Sequence, residues 1–388
     1  MKVLCLAHSF PRFPSDPVGS FVLRLAVALR GEGVETRVLA PSAPGLAARE
    51  EYEGIVVERF RYAPARLETL AYSGTMRDQV RDSWAAKATL GMLVGAQLLR
   101  SLRMRGGFRA DLVHAHWWFP GGMVGNWLRR WWHVPLVITM HGSDVRLARN
   151  SRAAAGLFRR VLTRADAVTT VSSWLAAETT TIAPTVHPIV APMPIKPDLF
   201  HPGGPRPPDT LLFVGKLNLQ KGIEHLLRAL ALMRARPTVD VVVGVGSAPA
   251  DVAALAQSLG VADRLRWFPL LPQDQLAERY RACTALVMPA VEEGLGLVAA
   301  EALLCETPVV AFASGGLTDL VVNGQTGMLV PPGDVAALAG ALDDLLARPD
   351  RGASLGVAGR QAMLATFGPE AVAARYAGIY RKVVASRA

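Results

Sequence analysis

Short runs of aliphatic and β-branched residues recur along the chain, each followed by a loop and then a helical pattern. In the first half they are VLCLA (3–7), VETRVLA (34–40), DLVHAH (111–116), PLVITM (135–140) and DAVTTVS (166–172), with a helix over residues 21–30. The rhythm restarts with LLFVG (211–215), VDVVVGVG (239–246), LRWFP (265–269), ALVMPA (285–290), PVVAF (308–312) and GMLVP (327–331). Strands apolar nearly throughout are covered on both faces, and strands alternating with helices build parallel sheets. The fold class expected is α/β, with two doubly wound Rossmann-like domains facing a cleft. Ligands of such sheets bind beyond the carboxyl ends of the strands.

Residues 183–208 hold nine of the 27 prolines. Proline removes an amide donor and blocks a helix interior or central strand, so this stretch reads as the interdomain connection. The division expected is 1–196, a linker over 197–208, a second domain over 209–368, and a final helix over 369–388 returning to the first domain. A length of 388 residues fits two or three domains at about 100–200 residues each. With 51% apolar and 19% charged residues, each half can bury a core, and a folded rather than disordered chain is expected. The longest candidate span, 88–99 between Lys87 and Arg100, is twelve residues and too short to cross a bilayer. The opening KVLCLAHSF has no small-residue cleavage site of a secretory leader. Cys5, Cys283 and Cys305 are odd in number and far apart, which gives neither a disulfide framework nor a zinc spacing. A cytoplasmic chain is expected.

The net charge of +10 resides wholly in the first half. Residues 1–200 carry 25 Lys and Arg against 15 Asp and Glu, whereas residues 201–388 carry 17 of each. Such asymmetry marks a surface that meets an anion. No nucleic-acid fingerprint surrounds the scattered arginines, so nucleic acid is not an expected partner. Five of the eight tryptophans (Trp117, Trp118, Trp127, Trp131 and Trp132) fall within sixteen residues. Arg129 and Arg130 are interleaved with them, and Arg100, Arg103, Arg105 and Arg109 lie just upstream. Basic and aromatic residues mixed in this way suit a lipid headgroup layer. The alternative is that the tryptophans pack the helix on the sheet while the arginines are solvated.

Three segments have the composition of ligand sites. GKLNLQKG (215–222) leaves a strand and enters a helix, with Lys216 and Lys221 beside the helix start. Free amides, the helix dipole and two ammonium groups favour a phosphate or diphosphate there; an ordinary solvated turn is the alternative. In PAVEEGLGLVAAEALLCETPVVA (289–311), Glu293 and Glu301 stand eight positions apart around Gly294 and Gly296. That separation exceeds one helical face, so the two carboxylates address different parts of one ligand, while the amides from Leu295 to Val298 offer a second phosphate-seeking helix start. A helix cap and a surface glutamate are the alternative. VITMHGSDV (137–145) ends a strand in His141, able to donate to a phosphate or sugar hydroxyl, while Ser143 and Asp144 read as a helix N-cap.

GKLNLQKG, the paired glutamates of EEGLGLVAAEALLCETPVVA, and GGLTDLVVNGQTGMLVPPGD (315–334) resemble the donor-side signatures of the family 4 retaining glycosyltransferases of GT-B fold. SFPRFPSDPVGSFV (9–22), HAHWWFPGGMVG (114–125), ITMHGSDV (138–145) and ADAVTTVSSWLAAE (165–178) are similar to the acceptor-domain landmarks of that family, so the likeness covers nearly the whole chain. The resemblance implies that Glu293 holds hydroxyls of a donor sugar, Glu301 the ribose, and Lys216 and Lys221 the diphosphate of a nucleoside-diphosphate sugar. It implies that the amides of Leu297 and Val298 meet the distal phosphate, with Gly294, Leu295 and Gly296 shaping that loop. Gly19 lets the first-domain loop approach it, and His141 contacts the donor sugar near the departing bond. The chain departs from the family in having Lys216 for a usual arginine, Leu295 for a usual phenylalanine between glycines, and Glu306 for a common glycine.

The activity implied is hexosyl transfer with retention to a sugar or lipid-linked acceptor, without cofactor or metal. No D-x-D occurs in the sequence, in keeping with cationic and amide stabilisation of the leaving phosphate. A sugar-nucleotide epimerase of the same fold and a degenerate sugar-nucleotide-binding protein are the alternatives. A dinucleotide oxidoreductase is disfavoured, because Pro249 stands at the third glycine position after Gly244 and Gly246. Loops around Gly246 and residues 270–272 are expected to choose the nucleotide base. Peripheral contact at the inner face of an anionic membrane completes the expectation.

Overall fold

A computed structural model describes residues 1–14, 16, 18–72, 76–204, 206, 207, 209–244 and 249–387. The chain divides into two compact units, unit 1 being Met1–Pro194 with Pro369–Ala388 and unit 2 Ile195–Gly368. Each is a sheet of buried strands whose crossovers are helices, as the alternation of patterns requires.

The strands of unit 1 are β1 (Lys2–Leu6), β2 (Glu35–Pro41), β3 (Arg49–Tyr52), β4 (Ile55–Phe60), β5 (Leu112–His116), β6 (Leu136–Met140), β7 (Ala167–Thr170) and β8 (Ile189–Val190). They form one sheet in the order β3-β4-β2-β1-β5-β6-β7-β8, parallel except where β3 returns against β4. Every residue of β5 and β6 is buried. Helix Ser20–Arg30 joins β1 to β2 and packs against the last helix, Pro369–Ala385. Helix Trp84–Met104 contains the apolar run 88–99, and among the described residues no helix is long and apolar enough to cross a membrane.

Unit 2 contains β9 (Thr210–Gly215), β10 (Thr238–Val243), β11 (Leu265–Phe268), β12 (Ala285–Met288), β13 (Val309–Phe312) and β14 (Met328–Val330). Their order is β11-β10-β9-β12-β13-β14, parallel throughout. Leu211, Phe213, Val241, Val287 and Phe312 of the strands bury against Leu226, Leu230, Leu338 and Leu342 of the helices. Helices Ile223–Leu232 and Leu297–Leu304 follow β9 and β12, the two central strands, so their amino ends lie at the carboxyl edge of the sheet.

Three strands escape the sequence pattern. β3 is the charged edge REEY, and β4 (IVVERF) breaks its apolar run with a buried Glu58 and Arg59. Arg59 is tolerated inside because Glu50, the Tyr72 hydroxyl and the carbonyls of Phe10 and Pro11 all accept from it. The proline-rich stretch is also more than a tether. Its Ile189–Val190 adds the edge strand β8, the position proline-flanked residues can occupy, and its Phe200 is fully buried against Tyr280 in unit 2.

Candidate functional site

In unit 2 the segments singled out from the sequence meet at the carboxyl edge. Gly215 ends β9 at φ 159°, and Gly222 caps the following helix at φ 74°. A β-carbon on Gly222 would collide with the carbonyl of Pro289, so only glycine lets this turn lie against the end of β12. The close approach brings Lys221 Nζ to 2.5 Å from Glu293 Oε2, with both side chains largely buried. Lys216 is exposed at the end of the same strand. The two lysines thus differ: Lys221 is anchored on a carboxylate, while Lys216 stands in solvent.

The loop carrying Glu293 is clamped from the start of the GGLTD segment, whose individual residues the sequence left unassigned. Ser314 Oγ accepts from the amide of Glu292 at 2.9 Å, and Gly316 donates to the carbonyl of Glu293 at 2.8 Å. Gly315 packs so tightly on Glu293 that any side chain would strike its backbone. Glu292 takes φ 56°, a conformation costly for a residue with a β-carbon and common at working sites. The paired glycines of GGLTD were the available signal.

Gly296 caps helix Leu297–Leu304 at φ 98°, leaving the first-turn amides of Leu297 and Val298 without helical acceptors beside Gly294 and the buried Leu295. Glu301 lies inside that helix and is buried, and the fully buried Tyr280 hydroxyl donates to its Oε2 at 3.1 Å. Tyr280 was not singled out from sequence, since a lone tyrosine in a helix carries no motif. Glu306, at φ 58°, holds the left-handed conformation that a glycine takes freely. Of the loops expected to choose the base, Leu270 and Pro272 are exposed after β11, and Gly246 lies outside the described residues.

Unit 1 gathers its own residues at the carboxyl edge. Gly19, at φ 73°, packs against the backbone of Ser9 and Phe10, and Asp16 ties the preceding loop by accepting from Arg12 Nε (2.6 Å) and the amide of Val18 (3.1 Å). His141 follows β6. Ser143 and Asp144 do not cap the next helix as the sequence suggests. Gly142 is the N-cap residue at φ 114°, because the chain turns too sharply there for a β-carbon. Asp144 Oδ1 instead reaches back to the amides of His141, Gly142 and Val145 at 2.9–3.1 Å, fastening the turn. Burial pushes the Asp144 carboxyl up to about 6, against the lowering effect of those amides.

The H-A-H at the end of β5 places two imidazoles on one face of the strand, as a period of two requires. His116 Nδ1 and His141 Nε2 lie 2.9 Å apart and share a hydrogen. The buried Tyr380 hydroxyl lies 2.8 Å from His114 Nδ1, and His114 Nε2 lies 2.7 Å from Thr139 Oγ1, so both ring nitrogens are hydrogen-bonded. The final helix is thereby bonded to the strands that carry His141. Trp117, at φ 69°, sets its ring 4.8 Å from that of His141, with Phe21 at 4.7 Å. The tryptophan segment is split: Trp118 and Trp132 are core at 2% and 6% exposure, whereas Trp127 and Trp131 are 37% and 47% exposed. Among the described residues no three His, Cys, Asp or Glu side chains are placed to share a metal ion.

Family models describe both units. One for glycosyl transferases group 1 matches residues 198–362, and one for a glycosyl transferase 4-like domain matches residues 18–191. D-inositol 3-phosphate glycosyltransferase of Thermobispora bispora is 36% identical over 321 residues, covering 74% of each chain. The chain belongs to the family 4 glycosyltransferases of GT-B fold. This glycosyltransferase is also similar to sucrose-phosphate synthase from Thermosynechococcus elongatus, at 25% identity and a TM-score of 0.82 over 99% of both chains. Anabaena HepE, solved with UDP-glucose, shares the fold at 18% identity and a TM-score of 0.72, covering 98% of this chain and all of that one.

The imidazole cluster of the glycosyltransferase has a consequence for stability. Burial lowers His8 to about 4 and His116 to about 3. Burial, reinforced by neighbouring imidazoles, holds His114 and His141 well below the usual value. Groups neutral in the fold but protonated when unfolded contribute stability that is fully present above about pH 6.5 and lost as pH falls toward 3–4. Asp144 acts oppositely, its contribution fading as pH rises through about 6. Four histidines outweigh one carboxyl, so the melting temperature should fall steadily from pH 7 to pH 5. His116→Asn should make that slope shallower. A melting temperature independent of pH across this range would contradict the assignment.

Proposed function

We propose that the protein transfers a hexose from a nucleoside-diphosphate sugar to an acceptor hydroxyl with retention of configuration and without a metal. The observation that carries this reading is the meeting of Lys221 and Glu293 at 2.5 Å beside the helix start at Leu297, with Glu301 fixed by Tyr280. Cation and amides suit the diphosphate, Glu293 the sugar hydroxyls, and Glu301 the ribose. Lys216 adds a second charge on the diphosphate. From unit 1, Gly19 is assigned to the diphosphate and His141 to the donor sugar, on the family resemblance.

The chemistry follows the charge. The bond between the anomeric carbon and the diphosphate oxygen breaks, and its electron pair stays on the phosphate. The acceptor oxygen forms the new bond on the same face, and its proton passes to the departing phosphate oxygen. Preorganised donors aimed at that oxygen lower the barrier most, each typically worth about 10²–10³ in rate. The relatives' names, D-inositol 3-phosphate glycosyltransferase and sucrose-phosphate synthase, each contain a phosphate ester, which supports an anionic acceptor. A lipid-linked acceptor, cytoplasmic location and peripheral contact with anionic membrane belong to the same proposal. Full activity in a chelator, with product formed only when acceptor is added, separates this reading from a metal-dependent transferase and from an epimerase.

Glu293→Gln and Lys221→Ala should each nearly abolish transfer while leaving the protein folded. Near-normal turnover of a folded Glu293→Gln enzyme would sink the assignment. Lys216→Arg should keep or improve diphosphate affinity, because an exposed point charge becomes a bidentate fork. A large loss in a calorimetric titration with nucleoside diphosphates would remove Lys216 from the site. Tyr280→Phe takes away one hydrogen bond to a buried carboxylate, and should weaken nucleoside diphosphate binding on the order of tenfold. Unchanged affinity would mean that Glu301 does not hold the ribose.

A further inference from the structure

The charge asymmetry is sharper between the units than between halves of the sequence. Unit 1 carries 28 Lys and Arg against 15 Asp and Glu, a net +13, and unit 2 carries 14 against 17, a net −3. Part of this charge gathers in a groove of about 760 Å³ beside helices Met123–Trp132 and Arg152–Leu162. Trp127, Arg129, Arg130, Arg160, Arg164 and Arg387 line it, and no acidic side chain does. Behind it, Asp166 takes Arg129 at 2.8 Å and Arg387 at 2.9 Å. Arg130, Arg160 and Arg164 are exposed, with no acidic partner among the described residues.

The same helices expose Trp127, Trp131 and Leu157. Helix Trp84–Met104 ends against them. Arg105 Nη1 donates to the carbonyl of Trp131 at 3.2 Å, and its guanidinium lies 5.6 Å from the Trp132 ring centre. Exposed Leu102 and Arg103 close that helix. Three helix ends therefore present unpaired cations and apolar side chains side by side.

The basic end of the groove lies at the amino edge of the sheet. Asp166 accepts from the amide of Leu136, the first residue of β6, and Arg387 donates to the carbonyl of Val134 at 3.2 Å. His141 follows the last residue of β6, roughly 16 Å away at about 3.3 Å per residue. Those cations therefore lie too far from His141 to touch groups reacting there.

We propose that this groove and its rim are a docking surface for an anionic lipid bilayer, separate from the site of transfer. The arginines take lipid phosphates, while the indoles and Leu157 enter the headgroup boundary. The exposed apolar side chains select a lipid surface over a soluble anion, which would need cations alone. The inference names a surface for the membrane contact included in the functional reading, and it stands whether or not the assigned donor roles do.

The full-length protein would be sedimented with vesicles of phosphatidylcholine, alone or mixed with phosphatidylglycerol, at low salt and at about 0.15 M salt. Arg130→Glu with Arg160→Glu would be compared with Arg49→Glu and Arg66→Glu, an equal charge change at exposed positions outside the groove. The wild type should sediment with the anionic vesicles only. The groove variant should lose binding on the order of tenfold or more, the control at most about twofold, with nucleotide-sugar turnover in solution unchanged in both. Three results would overturn the proposal: no wild-type preference for anionic vesicles, equal losses in the two variants, or wild-type binding by the groove variant. Turnover lost while binding persists would count against the donor assignment and not against the docking surface.

Discussion

A buried parallel sheet has a direction, and both units inherit it. Strands that run the same way collect their outgoing loops, and the amino ends of the helices that follow, at one edge. The carboxyl ends of those helices collect at the other. Helix amino ends carry unpaired amides and partial positive charge, and carboxyl ends carry unpaired carbonyls that favour cations. Leu297 and Val298 stand at the first kind of edge, and Arg129, Arg130, Arg159 and Arg160 close helices at the second. One constraint thus puts the helix start at Leu297 at the carboxyl edge of its own sheet and the basic rim at the amino edge of the unit 1 sheet.

Within unit 2 the site depends on backbone approach before it depends on charge. Lys221 reaches Glu293 only because Gly222 admits the carbonyl of Pro289, and the Glu293 loop is held only because Gly315 admits its backbone. A lysine and a glutamate on free loops would gain little from pairing in water. Here their side chains are 25% and 15% exposed, so each restrains the other while some access from solvent remains. A diphosphate bound at Lys221, as proposed, would meet an ammonium already oriented, so less side-chain entropy would be lost on binding. Glu301 is oriented by a different means, a phenol with no solvent access, which donates to its Oε2.

How much of this was legible depended on whether the signal was local. The alternating apolar runs specify parallel strands because burial on both faces demands them, and the two central sheets follow the pattern closely. β4 was missed because Glu58 and Arg59 interrupt its run, and their compensation comes from residues as distant as Phe10 and Tyr72. The candidate site residues in GKLNLQKG and EEGLGLVAAE stood out because glycine and charge fall together at an element boundary. Tyr280, Ser314 and the His114–Tyr380 bond were silent, since each acts through a partner 21 to 266 positions away. Asp144 misled for a related reason: a cap and a loop-fastening carboxylate have the same local sequence, and only the sharp turn at Gly142 decides between them.

The net charges of the units argue that the donor is not attracted by the field of the domain assigned to hold it. Unit 2 is −3, yet its assigned ligand is a nucleoside-diphosphate sugar, itself an anion. At physiological salt the Debye length is about 8 Å, so Lys216, Lys221 and the amides at Leu297 and Val298 dominate locally over the distributed acids. Under the proposed assignment, capture of the diphosphate would therefore be a matter of short-range preorganisation. The +13 of unit 1 calls for a different account. His141 and its neighbours form a neutral, largely buried imidazole cluster, while Arg130, Arg160 and Arg164 stand exposed toward the far edge of the sheet. Long-range attraction and short-range chemistry are thus assigned to different places, which lets surface charge change without disturbing the packing around the reacting groups.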